Sequence, residues 1–266
     1  MNKKRIICLG IIFTLLLLVF VILPPPLVSF KNSNVHLSFD DVEFCLKDIS
    51  NNDKYSSLYE QNFFAYIKRL HDRYGVCITL YTYADGLEGW RIEQMTGRFK
   101  QEFMAASDWL KIGFHASSPQ ITKDSIKSFN KFANDYNRVK KSIYYFAGKK
   151  SLATILRLHY FFATAEEVEF LRAGGVCQLL SADDDRLSYS LDTLSNKKLI
   201  LNEFLVSGGI EYKRTDIRVE NTLFPNISLL RNSDEKDLII FTHEWALNSI
   251  RKIKLEYMLW RINLEN

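Results

Sequence analysis

The sequence predicts an α/β fold in which parallel strands carry helices on their outside, either as an open doubly wound sheet or as a closed barrel. Three observations predict it. From about Asn34 onward, short apolar runs alternate with amphipathic stretches, and repeated strand-helix order is the signature of a parallel sheet. A length of 266 residues suits one large domain of this kind. Apolar and charged fractions of 47% and 25% are those of a well-packed chain and exclude wholesale disorder.

The folded part is preceded by different chemistry. Residues 1–5 are a basic flank containing Lys3, Lys4 and Arg5, and residues 6–23 are an uncharged apolar run of 18 residues. That length reaches what a membrane-spanning helix requires. The basic flank predicts a single-pass signal anchor with everything after it on the extracytoplasmic side. A cleaved secretory signal is the competing reading, but no small-x-small cleavage site follows the run. Pro24, Pro25 and Pro26 cannot extend a helix, so residues 24–33 read as a linker and residues 34–266 as the domain.

Each element of the domain has its own signal. "VHLSF" is a strand that stops at the paired carboxylates Asp40 and Asp41. Leu58, Phe63, Phe64, Ile67 and Leu70 then mark one face of a helix closed by Gly75. "VCITLYTYA" reads as a strand, "IEQMTGRFKQEFMAASDWL" as helical and "KIGFH" as a short strand. A long helix is predicted next, with Thr122 as its N-cap and Gly148 as its stop. "TILRLHYFF" is a strand, "AEEVEFLRAGG" a helix and "VCQLLSA" a strand. The segment 183–233 is less regular and suggests an insertion or a pair of extra strands. "DLIIFTHEW" is the last core strand, and a helix from Ala246 to about Ile262 completes the chain.

Composition narrows the function. Of 35 basic residues three lie in the leader, so the domain, with all 31 acidic ones, is nearly neutral. With no basic stripe either, nucleic acid is not the expected ligand. Cys45, Cys77 and Cys177 are scattered without C-x-x-C spacing, so neither a disulfide framework nor a cysteine zinc site follows. One pair would still be free to form in an oxidising compartment.

In parallel α/β folds, ligands are handled at the carboxyl ends of the strands. Three of the five histidines, His115, His159 and His243, fall at or near such ends, as do Asp40 and Asp41. Each alone is ordinary, since a lone histidine usually has a structural partner and an Asp-Asp pair is usually turn or cap chemistry. Together on one rim they are the set a hydrolytic metal site needs. Imidazole and carboxylate suit zinc and related divalent ions, and a carboxylate that is not a ligand can serve as base.

The residues also resemble a known family. "SFDDV" resembles the T-F-D-D-G motif of the polysaccharide deacetylases, the NodB-homology or carbohydrate esterase family 4 group. "IGFHASSP" resembles the family's H-[ST]-x-x-H motif, "LRLHYFF" stands where its arginine-containing motif lies, and "IIFTHEW" resembles its late L-x-H motif. The resemblance implies a distorted, incomplete (β/α) barrel and metal-dependent removal of acetyl groups from a cell-surface or cell-wall polysaccharide. It implies Asp40 as base, Asp41 and His115 as metal ligands, Arg157 as the matching arginine and His243 as the acid that protonates the leaving group.

The departures are specific. Pro119 stands where the family has its second ligating histidine, Val42 replaces a glycine, and His159 appears where the family usually has proline. The economical reading makes His159 the replacement ligand, giving Asp41, His115 and His159 around a divalent ion, most simply zinc. Two alternatives stay open: His243 binds the metal, or none binds and a degenerate barrel binds glycan or organises polysaccharide assembly. Trp90, Tyr160 and Trp245 are candidate platforms for sugar rings. Asp216, Arg218 and Glu220, alternate residues of a possible strand, form a further polar cluster, and "SADDDR" matches the acidic fourth motif or is a solvated loop.

Overall fold

The computed structural model describes residues 34–120, 128–221 and 237–263. The predicted basic flank, anchor and linker lie outside these. Among the described residues no helix is long and apolar enough to cross a membrane.

Four strands built from the predicted apolar runs lie parallel: β1 (Asn34–Asp40), β2 (Cys77–Tyr83), β3 (Leu110–Ala116) and β9 (Asp237–His243). With the two-residue strand β8 (Ile217–Arg218) they form a sheet of order β3-β2-β1-β9-β8. A second sheet has order β4-β5-β7-β6, from β4 (Ile155–Leu156), β5 (Gln178–Leu180), β6 (Phe204–Ser207) and β7 (Ile210–Lys213). The two sheets are linked at two places. A parallel bridge joins Ile112 to Leu152, and β7 runs within four residues into β8, so one stretch of chain pairs β5 and then β9. Two mostly parallel sheets with very short strands, linked in this way, are consistent with the expected distorted (β/α) barrel.

Close packing at the first junction explains Gly113. A Cβ there would stand 2.8 Å from the Leu156 side chain and 3.1 Å from Ala153 and Tyr81, so only glycine lets β3 approach β4. The β6–β7 hairpin turns on Gly208 and Gly209, at φ 60° and 75°, as a two-residue turn with two left-handed positions demands.

The helices follow from their caps. Gln61 accepts from the Phe63 and Phe64 amides to start α2 (Asn62–Tyr74), and left-handed Gly75 ends it. Thr164 and Glu167 form a reciprocal capping box on α5 (Ala165–Ala173). Phe39, Phe63, Phe64, Phe103 and Phe146 run through the core in edge-to-face contacts with centroids 5.2–5.8 Å apart. Cys45, Cys77 and Cys177 are free thiols.

Several elements differ from the sequence reading. A helix, α1 (Phe44–Asn51), follows the aspartates where none was expected. The region 92–110 holds only a 3-10 turn (Ile92–Gln94) and a short helix, α3 (Lys100–Ala105), with a bend at Gly97 and a turn at Arg98–Phe99 between them. The long helix α4 (Phe129–Phe146) starts from Ser128, which accepts from the Lys131 amide; Thr122 lies outside the described residues. The strand expected through Phe162 stops at Leu156, where the pairing with β5 ends opposite Leu179. His159–Phe161 is instead a 3-10 turn, tied to the body by the Tyr189 amide donating to the Phe161 carbonyl at 2.6 Å. Within 183–233, a helix α6 (Thr193–Asn202) precedes the β6–β7 hairpin, and the last helix α7 (Ser249–Asn263) begins three residues later than expected.

Candidate metal centre

The carboxyl ends of β1, β3 and β9 and the turn after β4 bring the predicted residues to one rim. Asp40 is the last residue of β1, and Asp41 sits immediately past it in the left-handed region, at φ 57°. That conformation is uncommon for a residue with a Cβ and is most tolerated by Asp and Asn. It separates the two carboxylates into different surroundings.

Asp41 faces the histidines. Its Oδ1 is 3.2 Å from His115 Nε2 and 3.9 Å from His159 Nδ1, and the two ring nitrogens are 3.2 Å apart. Among the described residues these three form the one group of potential metal ligands, with donor atoms all within 4.8 Å of one another. His243 is not in it. Two ligands at zinc distances on a tetrahedral centre stand about 3.3 Å apart, so two of the three spacings match and the third is slightly open.

Tautomer chemistry agrees with this fit. His115 Nδ1 lies 2.7 Å from the Arg157 carbonyl, which can only accept, so Nδ1 carries a proton; Nε2 faces Asp41, donates to it in the metal-free site, and would offer its lone pair to an ion that displaces that proton. The β2–β3 register skips at this point, pairing Thr82 with Phe114 and Tyr83 with Ala116. His115 is the residue left without an opposite, a bulge of the kind that re-aims side chains beside sites. Burial pushes the His159 imidazole down to about 4, helped by the neighbouring charge of His115, so it stays neutral. Burial lifts the Asp41 carboxyl, but hydrogen bonds from His115 and Tyr83 outweigh it and hold the group well below the usual range. Two imidazoles and an ionised carboxylate are therefore the donor set, and they suit zinc or a related divalent ion.

Asp40 is nearly sealed, at 2% exposure, and accepts from Arg157 Nη1 at 3.3 Å. Arg157 is itself fully buried. Its guanidinium also donates to Ser38 Oγ and, at 3.1 Å, to Thr215 Oγ1, and lies 4.2 Å from the centre of the Phe241 ring. The β1–β9 register places Asp40 directly opposite His243.

His243 is backed by Glu220. One Glu220 oxygen accepts from Thr242 Oγ1 at 2.7 Å, from the His243 amide at 2.8 Å and from His243 Nδ1 at 3.1 Å. Burial raises the Glu220 carboxyl, yet these donors hold it down to about 2. A carboxylate on Nδ1 fixes the orientation of the ring. Of the predicted trio 216, 218 and 220, Glu220 alone reaches His243; Asp216 instead accepts from the Ile239 amide at 2.7 Å. In "SADDDR", Asp184 pairs with Arg186 at the surface, both about two-fifths exposed, as a solvated loop does.

The aromatic candidates divide. Tyr160, 43% exposed, lies against His159, and Trp245, 58% exposed, leans on His243 with ring centres 5.1 Å apart. Both border the site. Trp90 does not: it is 4% exposed in the main core, so the expectation of a sugar platform there is corrected. Composition could not separate a core indole from a rim indole.

Two residues at the site were not singled out. Tyr83, at the end of β2, donates to Asp41 Oδ1, and the strand-end rule that exposed the histidines would also have found it. Glu244 accepts from the amides of Glu43, Phe44 and Cys45 at 2.7–3.0 Å, capping α1 from 200 residues away. No local signal marks that pairing.

No protein-family profile and no curated protein sequence matches the chain. It is similar in chain course to several solved structures. One is a 4-alpha-glucanotransferase from Thermococcus litoralis, at 13% identity and TM-score 0.49, covering 86% of this chain. This chain spans only 37% of that protein. A Streptococcus mutans CE4 esterase matches at 12% identity and TM-score 0.46, covering 89% of this chain and 83% of its own. A Mycobacterium smegmatis protein assigned as a polysaccharide deacetylase matches at 11% identity and TM-score 0.47, covering 90% and 86%.

Proposed function

We propose that the chain is a metal-dependent deacetylase that hydrolyses acetyl groups, in amide or ester linkage, on a cell-surface or cell-wall polysaccharide. One observation carries the reading: Asp40 and His243 stand opposite each other in register, each held by its own buried partner, beside the convergent Asp41, His115 and His159. A base, an acid and a donor set for a divalent ion on one rim are more than glycan binding requires.

Asp41, His115 and His159 would hold the ion, which when bound supplies acidified water and a polarised acetyl carbonyl. Asp40 takes the proton of the attacking water as the new carbon–oxygen bond forms. Arg157 holds Asp40 in place through its Oδ1. His243 gives a proton to the leaving nitrogen or oxygen as its bond to the acetyl carbon breaks, releasing acetate. Trp245 and Tyr160 offer the exposed rings against which a sugar can lie. The apolar run 6–23, read as an anchor, would hold the domain on the extracytoplasmic face near such a substrate.

A second reading has two observations in its favour. Pro119 stands in place of a family ligand and Asp40 is almost closed to solvent, as a barrel that only binds glycan would tolerate. Acetate release from acetylated oligosaccharides by the zinc-loaded domain separates the two. The enzyme reading requires release, and requires Asp40→Asn to abolish it with bound metal retained; no release from any acetylated glycan supports the binding reading.

A further inference from the structure

Asp41 is gripped on both oxygens by residues that the resemblance does not assign to the metal. Tyr83 donates its hydroxyl to Oδ1, the oxygen that faces His115 and His159, and the Trp245 indole donates Nε1–H to Oδ2 at 2.9 Å. We propose that Tyr83 and Trp245 are positioning residues of the metal centre, which together make Asp41 a ligand through Oδ1 alone. The inference rests on the metal site described above.

The geometry gives each donor a distinct part. A carboxylate past a strand end is free to turn about its side-chain bonds and can offer a cation one oxygen or two. With Oδ2 committed to the indole, the carboxylate plane is set and Oδ1 is the oxygen left toward the imidazoles. Tyr83 is 1% exposed, its hydroxyl lies 3.5 Å from His159 Nδ1, and its ring meets both His115 and His159 nearly edge-on. It thus spans the three ligands from the closed side while Trp245 covers Asp41 from the open side. Such orientation is what a site with only two imidazoles needs, because the position occupied by Pro119 contributes none.

Trp245 gains a second meaning from this contact. The same ring is exposed, leans on His243 and donates to Asp41, so it connects the rim to the metal ligand as well as to the acid.

Competition titration of Zn²⁺ against a chromophoric chelator, on the wild-type domain and on Tyr83→Phe and Trp245→Phe, tests the proposal. Tyr83→Phe keeps the ring and loses only the hydroxyl, and Trp245→Phe puts a smaller aromatic ring without the N–H donor in place of the indole. Loss of a partner that orients a metal ligand weakens affinity by about 10- to 100-fold, and that is the expected result for each, with the thermal midpoint of the metal-free Trp245→Phe domain unchanged. Zinc affinities within about twofold of wild type would overturn the positioning role, a difference too small for the expected loss. Should Tyr83→Phe fail to fold, Trp245→Phe decides alone, since its side chain is exposed. A wild-type domain that binds zinc and releases acetate beside variants of unchanged affinity would sink this proposal only. A wild-type domain that binds no zinc would sink the metal site with it.

Discussion

The backbone carbonyl of Arg157 accepts the Nδ1 proton of His115 at 2.7 Å, while the guanidinium of the same residue donates to Asp40 at 3.3 Å. One buried residue thus sets the tautomer of an imidazole aimed at the metal position and holds the carboxylate assigned as base. Its main chain serves the first task and its side chain the second, so substitution can separate them.

Arg157→Ala removes the side chain and leaves the Asp40 charge buried without its cation. Breaking a buried pair in this way costs about 3–5 kcal/mol, and the fall is read as a lower urea midpoint at unchanged slope. Because the carbonyl remains, the folded fraction is expected to retain zinc while losing acetate release.

His243→Ala should lower kcat by about 10²- to 10⁴-fold, the usual contribution of a positioned acid or base, with zinc content unchanged. Steady-state kinetics together with metal analysis of one preparation checks both halves. A parallel loss of zinc would instead favour His243 as a ligand.

Burial first, and the charge of His115 second, hold His159 at about 4 rather than its ordinary 6.5. Between those values the unfolded chain binds a proton at this position that the folded chain does not. Stability of the metal-free domain therefore falls as pH drops from about 6.5 to about 4. Urea midpoints across that window should decline more steeply for wild type than for His159→Gln, which has no such proton to exclude.

Glu244 shows the opposite sign. Burial lifts its carboxyl to about 7, against the pull of the three amides it accepts from. The folded chain then holds a proton that the unfolded chain has released, so this contribution is full below about 4.5 and is lost as pH rises through 7. Glu244→Gln keeps an acceptor for α1 without the titration, and its stability should vary less than that of wild type between pH 4.5 and 7.

What the sequence disclosed followed physical locality. Asp40, Asp41, His115 and His243 could be placed because strand ends deliver side chains to one rim, and apolar runs mark where strands end. His159 reached the rim for a different reason from the one expected: its segment leaves the ladder and turns, with Tyr160 and Phe161 at φ 56° and 53°. Apolar residues alone read the same in a strand and in that turn. Trp90 was misplaced because an indole suits a core as well as a sugar platform. Glu220 was visible as one of three acidic and basic alternates, but its bond to His243 depends on how β8 pairs with β9. The partners of Tyr83 and Glu244 are distant in the chain, so only the folded arrangement joins them.

Zinc content of the purified domain, measured for wild type and for His159→Ala, tests the central claim most directly. The account predicts one zinc per wild-type chain and its loss from the variant, because His159 supplies the imidazole that the position of Pro119 lacks. Stoichiometric zinc surviving His159→Ala would contradict it.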